Sequence, residues 1–363
     1  MSTNTQIQNE TVETQPLAGV RPLPTPRVLK QAIPLSDELQ LQVDQQRQQV
    51  RDLLSGKDER LLVITGPCSL HDPEAALDYG RRLVALNEHL SDRLLIVMRA
   101  YVEKPRTTTG WKGLAYDPDR NDKGDINKGL EVSRTLLIQL VEMGLPLATE
   151  ALNPMTMMYL EDLISWTAIG ARTAESQIHR EMISHLSMPV GIKNGTDGSV
   201  ETAVNAMISA SRSHHCLGMD VDGNIAMLDT PGNADTHVVL RGGRDITNYD
   251  EKSIEQTLVQ LEKAKINNDV HAKVIVDCSH ANAQKQHERQ LIIATEVVRQ
   301  RRAGNQSISG IMLESFINAG HQGMKGPKSE GLEYGVSITD PCISWDQTRN
   351  VLKSIHGLLG PSD

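Results

Sequence analysis

Eight polar residues recur at one kind of place in this sequence, just past a short apolar run: Cys68, Arg99, Glu150, Arg172, Lys193, Arg241, His280 and Glu314. Together with Lys104, Arg106 and Asp340 they fall mainly into two chemical sets. Arg99, Lys104, Arg106, Arg172, Lys193 and Arg241 are cations. A phosphate monoester carries about −1.5 to −2 charges at neutral pH, and arginine binds its oxygens bidentately, so six cations suit two phosphorylated substrates. Cys68, His280, Glu314 and Asp340 come from four distant segments and form the second set. Thiolate, imidazole and carboxylate donors together suit Mn2+, Fe2+, Co2+ or Zn2+ better than Mg2+ or Ca2+. Residue by residue, plainer readings stay open: a strand-end cation reaching for water, a cysteine packed as a small hydrophobe, a solvated carboxylate. Spacing alone establishes neither set. The signal is collective, because random surface charge has no reason to keep step with the ends of apolar runs.

Those runs must be strands of one sheet if their ends are to meet. Nine candidates appear, at 61–65, 94–98, 145–149, 166–171, 189–192, 214–219, 237–240, 273–276 and 308–313. Amphipathic stretches at 74–89, 129–143, 200–210, 251–265 and 286–302 lie between them. Strand–helix alternation implies a parallel sheet with helices outside, and eight such units close into a (β/α)8 TIM barrel whose active site gathers at the strands' C-terminal ends. Nine runs for eight places leave one over. Between 214 and 240 there is no room for a helix, and Asp222-Gly223-Asn224 and Pro231-Gly232-Asn233 are turn signals, so one barrel strand plus a hairpin-like excursion is expected there. Cys278 reads as barrel-core filling. His214, His215 and Cys216 sit at a strand start, away from the mouth, and read as structural.

Residues 1–34 read as an extended arm, punctuated by Pro16, Pro22, Pro24, Pro26 and Pro34, ahead of a barrel domain over 35–363. Ser36-Asp37-Glu38 opens a leading helix with Leu39, Val43, Val50 and Leu54 on one face. The 363 residues carry 39% apolar and 23% charged side chains, within the globular range and enough for one large domain. A formal charge of −9 argues against a nucleic-acid partner, without excluding a local cationic pocket. Four scattered cysteines make no CxxC pair, Met1 to Gln15 lack the apolar core of a signal peptide, and no run is long enough to span a bilayer. The expectation is a soluble, cytoplasmic protein.

In chain order, Gly66-Pro67-Cys68-Ser69-Leu70-His71-Asp72, Lys104-Pro105-Arg106-Thr107, Gly110-Trp111-Lys112-Gly113 and Ile169-Gly170-Ala171-Arg172-Thr173 resemble type I DAHP synthases (3-deoxy-D-arabino-heptulosonate 7-phosphate synthases). So do Gly191-Ile192-Lys193-Asn194-Gly195-Thr196-Asp197-Gly198, Leu240-Arg241-Gly242-Gly243, Asp277-Cys278-Ser279-His280, Glu314-Ser315 and Ser337-Ile338-Thr339-Asp340. The resemblance implies condensation of phosphoenolpyruvate with erythrose 4-phosphate, and a homodimer or homotetramer. It implies a divalent metal on Cys68, His280, Glu314 and Asp340, with phosphoenolpyruvate among Arg99, Lys104, Arg172, Lys193 and Arg241. Arg106 and Thr107 would hold the phosphate of erythrose 4-phosphate, near Asp340. Glu150 would lie by the reacting water, and Lys104, Glu150 and His280 would be catalytic. Lys104 is the best general acid, since arginine does not release a proton at neutral pH.

Feedback-regulated relatives carry Pro-Gln-Tyr where this chain has Met157-Met158-Tyr159, in a segment contributing to their aromatic effector pocket; Ser187 matches a small polar residue of that pocket. Val276-Asp277-Cys278-Ser279-His280 and Cys342-Ile343-Ser344-Trp345 resemble the tyrosine-inhibited branch most. Cys342, two residues past Asp340, is expected to put its sulfur near Cys68, giving a disulfide once metal loss exposes a low-pKa Cys68 thiol. Two other enzymes fit the residue sets. One is the related arabinose-5-phosphate synthase, which reads Lys-Ala-Asn-Arg in place of Lys104-Pro105-Arg106-Thr107; the other is a metal-dependent sugar-phosphate aldolase. A silent phosphosugar-binding barrel is the non-enzymatic alternative.

Overall fold

The computed structural model describes residues 19–106, 110–265, 268, 270–324 and 331–360. Eight strands form a closed parallel barrel: β1 (Leu61–Gly66), β2 (Leu94–Arg99), β3 (Leu147–Glu150), β4 (Trp166–Ile169), β5 (Val190–Lys193), β8 (Thr236–Leu240), β9 (Val274–Asp277) and β10 (Ile308–Glu314). β10 closes the ring on β1, with Gly66 paired to Glu314. Every residue of these strands is buried, which is why they read as unbroken apolar runs and not as alternating ones.

The excursion is β6 (His214–Met219) paired antiparallel with β7 (Ile225–Thr230), standing outside the ring. The barrel strand of this region is therefore β8, and the 214–219 run is the ninth, surplus candidate. His214, His215 and Cys216 lie on this hairpin, away from the barrel mouth.

The lumen is filled by Leu62, Ile64, Leu95, Val97, Trp166, Val239, Ile275 and Met312. Helix α2 (Asp37–Ser55), capped by Ser36 as expected, adds Val50, Leu53 and Leu54 to that same cluster and so stoppers the barrel floor. A Cβ at Gly191 would collide with the Trp166 ring, so glycine there admits the largest lumen side chain. The indole Nε1 donates to His237 Nε2 at 3.1 Å, and burial pushes His237 down to about 3, keeping it a neutral acceptor.

Helices α3 (Pro73–Asn87), α4 (Ile126–Glu142), α5 (Pro154–Leu160), α6 (Gln177–His185), α7 (Glu201–Ala210), α8 (Glu251–Lys265), α9 (Arg289–Arg302) and α10 (Trp345–Leu359) complete the fold. The expected extended arm needs correction in one stretch: Pro26–Ala32 form helix α1, begun by the Thr25 cap with Pro26 in the first turn, where a missing amide costs nothing. Residues 1–18 of that arm lie outside the described residues. No helix among the described residues is long and apolar enough to cross a membrane.

Candidate active site

The strand ends converge on a pocket of about 370 Å3 lined by Lys104, Arg106, Glu150, Arg172, Lys193, Arg241, His280 and Asp340, among others. Seven of these eight come from strand ends or the loops following β2, β3, β4, β5, β8 and β9, so ring closure explains their meeting; Asp340 comes from the loop after β10. Gly170 matters at this point. A Cβ there would lie 2.5 Å from Glu150 Oε1, so the glycine opens the wall to that carboxylate. Gly110, at φ 135°, likewise leaves room for the Arg106 guanidinium.

Arg99 and Glu314 lie beneath the pocket, bonded to each other at 3.1 Å and almost fully buried. The Arg99 guanidinium stacks 4.0 Å from the Tyr101 ring centre and donates to Pro67 O at 3.3 Å. Lys193 Nζ is 3.0 Å from Asp277 Oδ2. Burial opposes the Lys193 charge, but Asp277, Tyr101 and Glu150 together outweigh it and the pKa rises; burial also opposes Asp277, whose pKa is nevertheless held well below the carboxylate range by His280 and Lys193. Lys104 Nζ donates to Cys68 Sγ at 3.1 Å and to Cys68 O at 3.3 Å. Burial again works against its charge, yet Cys68, Glu314 and Asp340 raise the ammonium pKa, so Lys104 stays protonated.

Ligand atoms of Cys68, Glu314 and Asp340 lie within 4.8 Å of one another. His280 stands just outside that triangle, with Nε2 3.9 Å from Glu314 Oε1. Its Nδ1 faces Asp277 Oδ2 at 2.8 Å and Ser279 Oγ at 2.7 Å. A carboxylate on the far nitrogen orients a ligating histidine, so Nε2 points toward the cluster as a fourth donor would. Thiolate, imidazole and two carboxylates in this arrangement fit a divalent transition metal.

Cys68 is wholly buried, and burial followed by Glu314 pushes its thiol up to about 12. That overturns the expectation of an exposed, low-pKa thiol in the metal-free pocket. Cys342 is also buried and free, its Sγ 3.7 Å from Asp340 O. Cys278 is buried in the core as expected.

Three further residues set the geometry and were not singled out beforehand. Asn194, Asn248 and Asn282, all buried, bind one another and the backbone of three successive mouth loops. Asn194 Oδ1 accepts from Arg241 N at 2.8 Å and from Asn248 Nδ2 at 3.1 Å. Asn248 Oδ1 accepts from Gly242 N at 2.7 Å, and Asn282 Oδ1 from Asn248 N at 2.9 Å. Only the position of Asn194 directly after Lys193 hinted at this. Glu103 is the other surprise, 2% exposed beside Lys104, with Oε1 unbonded.

Thr107 lies outside the described residues. Met157, Met158 and Ser187 do not line the pocket. Met157 packs in the core on α5, Met158 is half-buried beside it, and Ser187 is exposed between α6 and β5. The next residue of α5, Tyr159, donates to Pro24 O at 2.7 Å and so ties that helix to the N-terminal segment.

The Tyr-sensitive phospho-2-dehydro-3-deoxyheptonate aldolase of Escherichia coli is 49% identical over 96% of this chain and 97% of its own length. The phenylalanine-inhibited enzyme of Saccharomyces cerevisiae is 47% identical, over 93% and 91%. The solved structure of phospho-2-dehydro-3-deoxyheptonate aldolase from Francisella tularensis superposes with a TM-score of 0.90 at 40% identity, covering 95% of this chain and 98% of that one. Residues 38–353 match the model of the DAHP synthetase I family, and with relatives this close over nearly its whole length, the chain belongs to that family.

Proposed function

We propose that this chain condenses phosphoenolpyruvate with D-erythrose 4-phosphate to DAHP and inorganic phosphate, the first step of the shikimate route to aromatic amino acids. Three cations with no carboxylate partner among the described residues, Arg106, Arg172 and Arg241, ring one pocket around a metal-capable cluster, and this arrangement carries the reading. Arg172 and Arg241, on adjoining walls with Lys193, would take phosphoenolpyruvate; Arg106 and Thr107, on the β2 loop, would take the erythrose 4-phosphate phosphate.

In the reaction, C3 of phosphoenolpyruvate forms a bond to the aldehyde carbon and the aldehyde oxygen gains a proton. Water adds at C2 and gives up a proton; the C2–O bond to the phosphate then breaks as the new hydroxyl's remaining proton passes to the departing phosphate, leaving a ketone. Protonated Lys104 is the donor to the forming hydroxyl, a transfer that runs downhill to an alkoxide. Glu150 receives the proton from water and screens positive charge at C2. Arg99, locked beneath, holds Glu314 in place. A divalent ion bound by Cys68, His280, Glu314 and Asp340 would supply Lewis-acid polarisation of the aldehyde oxygen. Fixing two mobile anions in contact supplies much of the remaining acceleration.

Inhibition by an aromatic amino acid, tyrosine in the first instance, at a site including Met157, Met158 and Ser187 belongs to the same reading. So do a cytoplasmic location and a homodimer or homotetramer; the exposed apolar Leu217, Ile225 and Met227 on the hairpin support assembly. The test is phosphoenolpyruvate consumption and phosphate release with erythrose 4-phosphate or arabinose 5-phosphate, then with added Phe, Tyr or Trp. Turnover with arabinose 5-phosphate alone, or consumption without phosphate release, would overturn the proposal.

A further inference from the structure

A second concavity, of about 580 Å3, opens beside the active pocket and shares two of its residues, Thr196 and Arg241. Its remaining polar lining is Arg244, Asp245, Gln284 and Lys285. Among the described residues, no carboxylate lies within ion-pairing distance of Arg241, Arg244 or Lys285. The side chain of Arg241 has one weak anchor, Gly242 O at 3.4 Å, so its guanidinium is available on both sides.

The backbone of this groove is costly to build. Six non-glycine residues in the described chain have left-handed backbone, and three of them line the groove: Asp245 (φ 62°), Gln284 (φ 52°) and Lys285 (φ 64°). A fourth, His280 (φ 48°), lines the active pocket and directly precedes Ala281 of the groove. Such conformations are unfavourable outside glycine, and where the surrounding structure enforces them they cluster at functional sites. Here the Asn194–Asn248–Asn282 network enforces the base of the groove. It fixes Arg241 N and Gly242 N, and a Cβ on Gly242 would lie only 2.7 Å from Asn282 N.

We propose that this groove is a phosphate subsite, through which the phosphate released in the condensation passes from Arg241 to Arg244 and Lys285 on its way out. This rests on the condensation reading, which generates a dianion at Arg241 while Arg106 and Lys104 still hold the sugar product. A rigid, unneutralised cationic path lowers the cost of moving that dianion from a half-buried guanidinium toward water. Asp245, on the same wall, faces the path and repels the phosphate, which keeps the hold weak enough for release.

The test uses the full-length, metal-loaded enzyme with inorganic phosphate as probe, comparing the parent with R244Q/K285N. Asparagine is chosen at 285 because it tolerates left-handed backbone. Radiolabelled phosphate binding is measured by equilibrium dialysis at saturating phosphoenolpyruvate, and phosphate inhibition by steady-state rates. Beyond the phosphate that Arg106 would hold in the absence of erythrose 4-phosphate, the parent is expected to bind one more phosphate that phosphoenolpyruvate does not displace, and to show inhibition that saturating phosphoenolpyruvate leaves in part. The double variant should bind that phosphate at least about tenfold more weakly, with substrate KM values changed by no more than about twofold. D245N should tighten it severalfold. Displacement of this additional phosphate by phosphoenolpyruvate in the parent, or unchanged phosphate binding in R244Q/K285N, overturns the proposal. Dialysis reads the groove without turnover, so failure of the condensation assay and failure of the subsite are separate results.

Discussion

Replacing Glu103 with glutamine should stabilise this protein increasingly as pH rises. Its side chain is 2% exposed; Oε2 takes a long hydrogen bond from Asn153 N at 3.5 Å, with the Thr156 and Tyr116 hydroxyls near the carboxyl but outside good bonding geometry. Burial pushes the carboxyl up to about 7 from 4.5, against the pull of the Thr156 hydroxyl and the Asn153 amide. A folded-state pKa raised above the unfolded value means that the folded chain holds its proton longer. Below about pH 4.5 both states are protonated and nothing is lost. From about 4.5 to about 7 the unfolded chain ionises alone, and stability falls by about 1.4 kcal/mol per unit. Above about 7 the loss levels off near 3 kcal/mol, as an order of magnitude. Glutamine keeps the shape and cannot ionise.

The assay is urea unfolding of parent and Glu103→Gln at equal protein concentration from about pH 5 to about pH 8.5, with unfolding free energies from midpoint and slope. The advantage of the variant should grow by roughly 2–3 kcal/mol across that range. A gap independent of pH, or one that shrinks as pH rises, would refute the reasoning. Glu103 precedes Lys104, and its partner Asn153 caps α5 and binds Tyr116 Oη at 2.9 Å, so its ionisation also bears on how the Lys104 loop is held.

Other outcomes are expected. Exhaustive chelation should abolish activity and Mn2+, Fe2+ or Co2+ restore it; full activity with metal absent by elemental analysis would exclude the Cys68–His280–Glu314–Asp340 site. Arg106→Ala should raise KM for erythrose 4-phosphate roughly tenfold to a hundredfold while sparing phosphoenolpyruvate, and Arg172→Ala should do the reverse. Asn194→Ala removes the acceptor for Arg241 N and should cost about 2–4 kcal/mol in urea unfolding; a loss under about 1 kcal/mol would show that water replaces the amide. In metal-free protein near neutral pH, Cys68 should react with iodoacetamide more slowly than the partly exposed Cys216, as peptide mapping would read; faster labelling would contradict the buried, high-pKa thiol.

What the sequence made legible follows from burial. A strand covered on both faces must be apolar throughout and must end where the chain meets the mouth, so β1, β2, β9 and β10 and their terminal residues could be read directly. The hairpin shows the limit. Leu217, Ile225 and Met227 are exposed, so the apolar pattern of β6 imitates a core strand, and only pairing distinguishes it from β8. Helix α1 was hidden because prolines mark extended chain and helix starts alike. Helix α10 was legible in principle through the Ser344–Gln347 capping box. The asparagine network was not, because a buried amide and a loop-surface amide look the same until their partners are known.

The six cations illustrate why a site's composition and its working parts differ. Along the sequence, Arg99 and Lys193 sit at strand ends just as Arg172 and Arg241 follow theirs. In the folded chain Arg99 is neutralised by Glu314 and Lys193 by Asp277, both pairs being almost wholly buried, while Lys104 rests against Cys68. Breaking such a buried pair costs several kcal/mol, about 3–5, because one charge is left unsatisfied. In the unliganded fold these inner cations therefore serve first as fixed supports for Glu314, Asp277 and Cys68 at and beside the candidate metal cluster. Arg106, Arg172 and Arg241 have no carboxylate within 4 Å among the described residues, and burial holds Arg241 below its ordinary pKa, with Arg172 adding to the strain. Mutual repulsion within that outer layer, as between Arg172 and Arg241, destabilises the empty fold, and on the proposed reading bound dianions would relieve it. Phosphorylated ligands should thus stabilise the protein beyond simple occupancy of a neutral pocket, and the outer arginines, more than the already paired Arg99 and Lys193, should account for the gain.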